Sequence, residues 1–143
     1  EEVIEAYKDN FRNELEDARI HINLGLFYKE MGFYEEAIQE FQEASNNQRY
    51  LLEAFNHIAM CFRQEGFIDL AISQLERALE QSGFPEEDYL EIRYNLAEIL
   101  RENGRLKEAL SAYYECYMVD INYRDIADKI NSLNEQLAAG GNE

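Results

Sequence analysis

The residue types in this chain that could do chemistry at neutral pH are His21, His57, Cys61 and Cys116, the only histidines and cysteines it has, together with paired carboxylates. Cys61 and Cys116 fall inside helical apolar patterns, which predicts two small buried thiols and no disulfide or metal pair. His57 immediately precedes an apolar run and reads as a packed side chain. The carboxylate pairs Glu35-Glu36 and Glu86-Glu87 stand at predicted helix starts, where acidic side chains favour the helix dipole. They are expected to stabilise helices and not to act as a general acid and base. The chain has no Gly-rich phosphate loop, no nucleophile elbow and no triad-like order. No catalytic residue, metal site or cofactor site is expected, and the chain is not expected to be an enzyme.

Charge narrows the partners. With 13 basic and 30 acidic residues the net charge is −17, which repels nucleic-acid phosphates and anionic lipid headgroups. The expected partner is therefore a protein. No run of about 20 apolar residues is present, so direct membrane insertion is not expected. There is no basic-then-apolar leader. A start at Glu1 without Met and an end in Ala-Ala-Gly-Gly-Asn-Glu read as a segment of a longer chain. Two unpaired thiols fit a reducing compartment. The expected location is cytoplasmic, with the periplasm as the alternative.

The elements that position these residues come from a repeat. One Pro, seven Gly and an abundance of Glu, Leu, Ala and Gln favour helices. Leu24-Gly25-Leu26-Phe27-Tyr28, Gly32, Ala37-Ile38, Phe41 and Ala44 form a first set of positions. Ile58-Ala59-Met60-Cys61-Phe62, Gly66, Ala71-Ile72, Leu75 and Ala78 form a second set, 34 residues further on. Leu96-Ala97-Glu98-Ile99-Leu100, Gly104, Ala109-Leu110, Tyr113 and Cys116 form a third, offset by 38. The four additional residues fall around Gly83-Phe84-Pro85-Glu86, in a predicted loop. Each set reads as an amphipathic helix, a turn at the glycine and a second apolar stripe. Gly25, Ala59 and Ala97 are expected to face Ala37, Ala71 and Ala109, letting paired helices approach closely.

These columns resemble the tetratricopeptide repeat, with its period of about 34 residues and its Leu-Gly, Tyr, Gly, Ala, Phe, Ala signature. The resemblance covers roughly residues 18–121 and is closest to bacterial modules within larger proteins. His21, Phe55 and Arg93 stand where the family has an early Trp, and its Pro after the second helix is missing near Arg49. His21 is accordingly read as a packed histidine in place of a wedged aromatic.

The resemblance implies an all-α fold, a right-handed solenoid of three antiparallel helix hairpins with a helix at each end. The expected plan is an N-terminal helix over 1–17, repeats over 18–51, 52–89 and 90–121, a capping helix over 122–138 and a flexible tail over 139–143. The first helix carries Val3, Ile4, Tyr7, Phe11 and Leu15 to cover the open end of the first repeat. Asn122-Tyr123-Arg124-Asp125 has the spacing of a capping box for the last.

The resemblance further implies a concave groove lined by the first helix of each repeat. Its candidate partner-binding residues are Ile22, Asn56 and Tyr94 in one column, Leu26, Met60 and Glu98 in the next, and Lys29, Arg63 and Arg101 along a basic edge. The basic edge has a purely local alternative, ion pairs with Glu three or four residues away. Family members that clamp a carboxylate use Lys and Asn on the two central columns; those residue types are largely missing, so a chaperone-tail ligand is not expected. The expected function is a scaffold or adaptor module within a larger signalling or envelope-associated protein. It would bind a peptide or helix with apolar and locally acidic groups. Self-association into a homo-oligomer, or service as chaperone of a secreted protein, are the alternatives.

Overall fold

In the computed structural model, which describes residues 1–140, the chain folds into seven helices: α1 (Glu2–Glu30), α2 (Tyr34–Ala44), α3 (Leu51–Glu65), α4 (Ile68–Leu79), α5 (Leu90–Glu102), α6 (Leu106–Val119) and α7 (Ile126–Gly140). Short 3₁₀ turns, Gln48–Tyr50 and Glu86–Tyr89, precede α3 and α5. The fold is all-α, with no strand among the described residues.

The repeat read from side chains is also a repeat of backbone hydrogen bonds. Gly32, Gly66 and Gly104 have φ of 83°, 86° and 81°, a left-handed conformation that glycine adopts without a Cβ clash. After each glycine the next N–H reaches back over the turn: Phe33 to the Tyr28 carbonyl, Phe67 to Phe62 and Arg105 to Leu100, all at 2.9 Å. The carbonyls of those donating residues then open the following helix, with Ala37 donating to Phe33, Ala71 to Phe67 and Ala109 to Arg105, all at 3.0 Å. The inserted loop turns at Gly83, φ 92°, and Pro85 leads into the second 3₁₀ turn.

The chain forms two compact units, Glu1–Gln74 and a second beginning at Leu75, with the division inside α4. In the first unit α2 packs between α1 and α3. Its core is Ile22, Ala37, Phe41, Ala44, Ala54, Ile58 and Cys61, with Tyr28, Tyr34, Ile38, Tyr50 and Phe62 packed around it. Gly25 is opposed by more than a small residue: a Cβ there would lie 2.4 Å from the Phe41 ring. Glycine is needed because a full aromatic ring fills the space the sequence had assigned to Ala37. In the second unit α5 packs on α6 and α6 on α7, burying Ile99, Tyr113, Cys116, Ile126 and Leu133 almost completely.

Three expectations change at the ends. The residues expected as a separate helix over 1–17 instead continue straight into the first repeat as the 29-residue α1, because nothing between them breaks the helix. Val3, Ile4, Tyr7 and Phe11 are consequently 58% to 74% exposed and cover nothing in their own unit. Asn122 does not cap α7, which begins only at Ile126. The turn before it holds Arg124 at φ 45° and is closed by the Asp120 carboxylate accepting from the Asn122 N–H at 2.9 Å. Of the tail expected over 139–143, residues 139 and 140 are helical and 141–143 lie outside the described residues.

Burial separates core from surface sharply enough to test. Leu96 is 7% exposed, whereas Glu43 is exposed on α2. We expect Leu96→Ala to destabilise by about 2–5 kcal/mol and Glu43→Ala to stay within about 0.5 kcal/mol. Equal midpoints for the two variants in urea would contradict this packing.

Candidate functional site

The candidate binding residues divide by burial. Ile22 lies one helical turn from Ala18 and three residues from Gly25, and this face of α1 packs on α2. Ile22 is therefore 4% exposed and belongs to the core. Asn56 is 6% exposed on α3, and Tyr94 is 8% exposed on α5. The column read as the middle of an open strip is thus largely interior, and only the remaining residues are available for contact.

In the first unit, Leu26 and Lys29 line an open hollow of about 600 Å³ together with Asn23, Phe27, Glu30, Tyr34 and Gln64. α1 supplies five of these residues, α2 supplies Tyr34 and α3 supplies Gln64. Phe27, one residue beyond Leu26, is 56% exposed. Phe27 and Tyr34 were not among the sequence candidates, although Phe27 follows Asn23 by one turn and shares its face. Lys29 makes no ion pair among the described residues. On α3, the Arg63 guanidinium lies 3.9 Å from the Met60 sulfur, and both side chains are half-buried.

In the second unit the candidates are held inside a polar network. The Glu98 carboxylate accepts from Arg101 at 3.1 Å, from Lys129 of α7 at 3.1 Å, and from the Tyr113 hydroxyl of α6. Arg101 Nε donates to the same Tyr113 oxygen at 3.2 Å. Tyr94 donates its hydroxyl proton to Asp125 at 2.7 Å, and the Arg124 guanidinium stacks 5.0 Å above its ring. Burial alone would raise the Glu98 pKa. The hydrogen bonds from Tyr113 and Lys129, with the charges of Lys129 and Arg101, outweigh burial and hold it below its ordinary value of 4.5. Burial and the hydrogen bond to Glu98 together push the Tyr113 hydroxyl up. Tyr94, Glu98 and Arg101 therefore tie α5 to α6 and α7. Their partners are Tyr113 of α6, Lys129 of α7 and Asp125 of the turn before α7, and no local spacing could have announced them.

The histidines and thiols are structural. His21 Nδ1 sits 2.7 Å from Glu40 Oε1 and joins α1 to α2. His57 stacks on Phe41 at 4.9 Å and faces Glu53 at 3.5 Å. His57 and Cys61 are one turn apart on α3, a spacing that can present two metal ligands. Here Cys61 is fully buried against the core, while His57 is occupied by Phe41 and Glu53. Cys61 and Cys116 are free thiols, and burial pushes each up to about 11. Among the described residues, no group of three or more His, Cys, Asp or Glu is placed to hold a metal ion. Among the described residues, no helix is long and apolar enough to cross a membrane.

Comparison with known proteins places this geometry. Models described as tetratricopeptide repeat match residues 18–49 and 50–119. An uncharacterized protein, ycf37, of Guillardia theta is 26% identical over 137 residues, spanning 92% of this chain and 75% of its own. Among solved structures, the first tetratricopeptide domain of Spaghetti (RPAP3), bound to the HSP90 peptide SRMEEVD, superposes with a TM-score of 0.73 at 17% identity. That match covers 87% of this chain and 98% of that one. The TPR2AB domain of yeast Sti1, in complex with an HSP90 peptide, gives a TM-score of 0.78 at 19% identity, covering 86% and 48%.

Two measurements check the site. Native protein should react slowly with a thiol reagent and quickly once unfolded, because the thiolate is the reactive form and both thiols are buried; prompt native labelling would contradict this placement. Glu98 has a depressed folded pKa, so its stabilisation is complete above about pH 4.5 and is lost as pH falls through the lower folded value. Glu98→Gln should cost about 1–3 kcal/mol at pH 7 and flatten the loss of stability below pH 4.5, as read by urea titration at stepped pH.

Proposed function

The chain belongs to the tetratricopeptide repeat family, and on that premise we propose that it is a non-catalytic protein-interaction module that takes up a peptide or helix on the α1–α3 surface of its first unit. One observation carries the reading: the hollow lined by Leu26, Phe27 and Lys29. Exposed Leu and Phe sharing one concavity form the kind of apolar patch that a partner covers. Full burial of Leu26 would contribute roughly 1.5–3 kcal/mol. Lys29 sets orientation and encounter rate more than affinity. In a chain of net charge −17, a lysine without an ion pair favours a ligand with a local acidic group and an otherwise apolar face.

Proteins of similar fold are solved with HSP90 peptides, which supports a peptide as ligand. The ligand here differs in chemistry. Lys and Asn on the two central columns would grip a terminal carboxylate, and this chain has Ile22, Leu26, Asn56, Met60, Tyr94 and Glu98 there. Ile22, Asn56 and Tyr94 are moreover buried. The module is read as an adaptor within a larger signalling or envelope-associated protein, and its free thiols fit a reducing compartment such as the cytoplasm.

The test is capture of partners from source-cell extract with native protein, with Leu26→Arg plus Met60→Glu, and with Lys29→Glu plus Arg63→Glu, each first shown helical by circular dichroism. Both double variants should lose a partner that native protein retains. Retention of every partner at native affinity by both would defeat the proposal.

A further inference from the structure

We propose that the first half of α1 is a self-association surface, on which a second copy of this chain docks antiparallel through its own α1. Ile4, Phe11, Ala18 and Gly25 recur every seven residues and therefore share one face of the helix, with Tyr7, Leu15 and Ile22 beside them. In the second half of the helix this face is covered: Ala18, Ile22 and Gly25 are buried, and the Phe41 ring of α2 fits against Gly25. In the first half the same face continues without cover. Val3 is 69% exposed, Ile4 58%, Tyr7 74% and Phe11 62%. It is an unbroken extension of a surface that already accepts a helix.

Charge selects both the occupant and its direction. Glu1, Glu5, Lys8 and Arg12 lie along one flank of this face, acids before bases. All four are exposed, and the one close ion pair here, Arg12 to Asp9 at 3.2 Å, is itself at the surface and easily exchanged. In a two-fold antiparallel pair this flank meets its own reverse. With Tyr7 opposite Tyr7 and Val3 opposite Phe11, Glu1 then faces the second copy's Arg12, and Glu5 faces its Lys8. Symmetry makes four such pairs. In a parallel pair the charged flank would meet the other flank, where Ala6, Asn10, Asn13 and Asp17 offer no base. A second copy thus supplies an apolar strip and a complementary charge order together. The strip from Val3 to Leu15 is about 18 Å long at the helical rise. That length is short of a standard interface and fits a reversible dimer.

The experiment is a concentration series of the full chain by sedimentation equilibrium in low salt. Native protein should move from 16.8 kDa toward twice that mass. Tyr7→Glu plus Phe11→Glu should remain monomeric, with an unchanged helical spectrum, because both side chains are exposed. Glu1→Lys plus Glu5→Lys in one chain and Lys8→Glu plus Arg12→Glu in another should each weaken self-association about tenfold or more. Mixing those two chains should restore it as a heterodimer, since every flank pair is again of opposite sign. Native protein that stays monomeric at all concentrations overturns the proposal. So does a dimer that survives Tyr7→Glu plus Phe11→Glu, and so does a mixture that fails to recover association.

Discussion

Everything in this fold depends on three glycines that reverse the chain at the same point of each hairpin. The left-handed turn at Gly32, Gly66 and Gly104 does more than permit a bend. It lets the following N–H satisfy a carbonyl that the ending helix would leave unpaired, and it delivers the next helix back along the first. Once the helices are returned at a fixed place, the residue five positions beyond each glycine is held in the interior. Ala37, Ala71 and Ala109 are fully buried in consequence. Any side chain at the glycine would have to hold a positive φ, and the hydrogen bonds on either side would share the strain.

Close approach then decides which faces remain for function. In the first unit the absence of a Cβ at Gly25 lets the Phe41 ring reach α1, and Phe41 also stacks on His57. The face carrying Ala18, Ile22 and Gly25 is used by the hairpin itself, while the face carrying Asn23, Leu26 and Glu30 is left around a hollow. In the second unit the helix that follows the hairpin brings charged partners to the corresponding surface. α7 brings Lys129 to Glu98, and the turn before it brings Asp125 to Tyr94, so Glu98, the position equivalent to the open Leu26 of the first unit, is spent on internal pairing. Equivalent columns of a repeat need not have equivalent roles, because the terminal element changes what each column meets.

The sequence was most legible where the physics is local. A glycine 34 or 38 residues from its counterpart, with small and large residues in fixed columns around it, encodes turn and packing in neighbouring positions, and the helices follow. Cys61 and Cys116 were readable as buried for the same reason. Ile22 could have been placed correctly, since Ala18 and Gly25 at helical spacing mark its face, but a column chosen by resemblance set it on the surface. Tyr94 and Glu98 were not legible: their partners Asp125 and Lys129 lie 31 residues further on, across a turn whose left-handed Arg124 no spacing rule announces. The continuity of α1 was missed because the expected boundary rested on the repeat plan, whereas residues 2–30 contain no proline and no capping glycine before Gly32 to stop the helix.

The distribution of basic residues carries the functional argument furthest. In a chain this acidic, each Lys or Arg has carboxylates within easy reach, and most are drawn to them. Arg93 lies near Glu86 and Glu115, Arg101 and Lys129 share Glu98, Arg105 grips Glu108 with two nitrogens, and Arg124 approaches Glu91. These are second-unit residues, and they consolidate that unit. In the first unit Lys29 borders the apolar hollow, while Lys8 and Arg12 flank the uncovered stripe of α1. An exposed base beside exposed Leu, Phe or Tyr has little to gain from its own chain, because no acid on the same helix both neutralises it and covers the apolar surface. A second helix or peptide with apolar residues and a nearby carboxylate would do both at once, and that is the physical ground for placing the proposed contacts on the first unit.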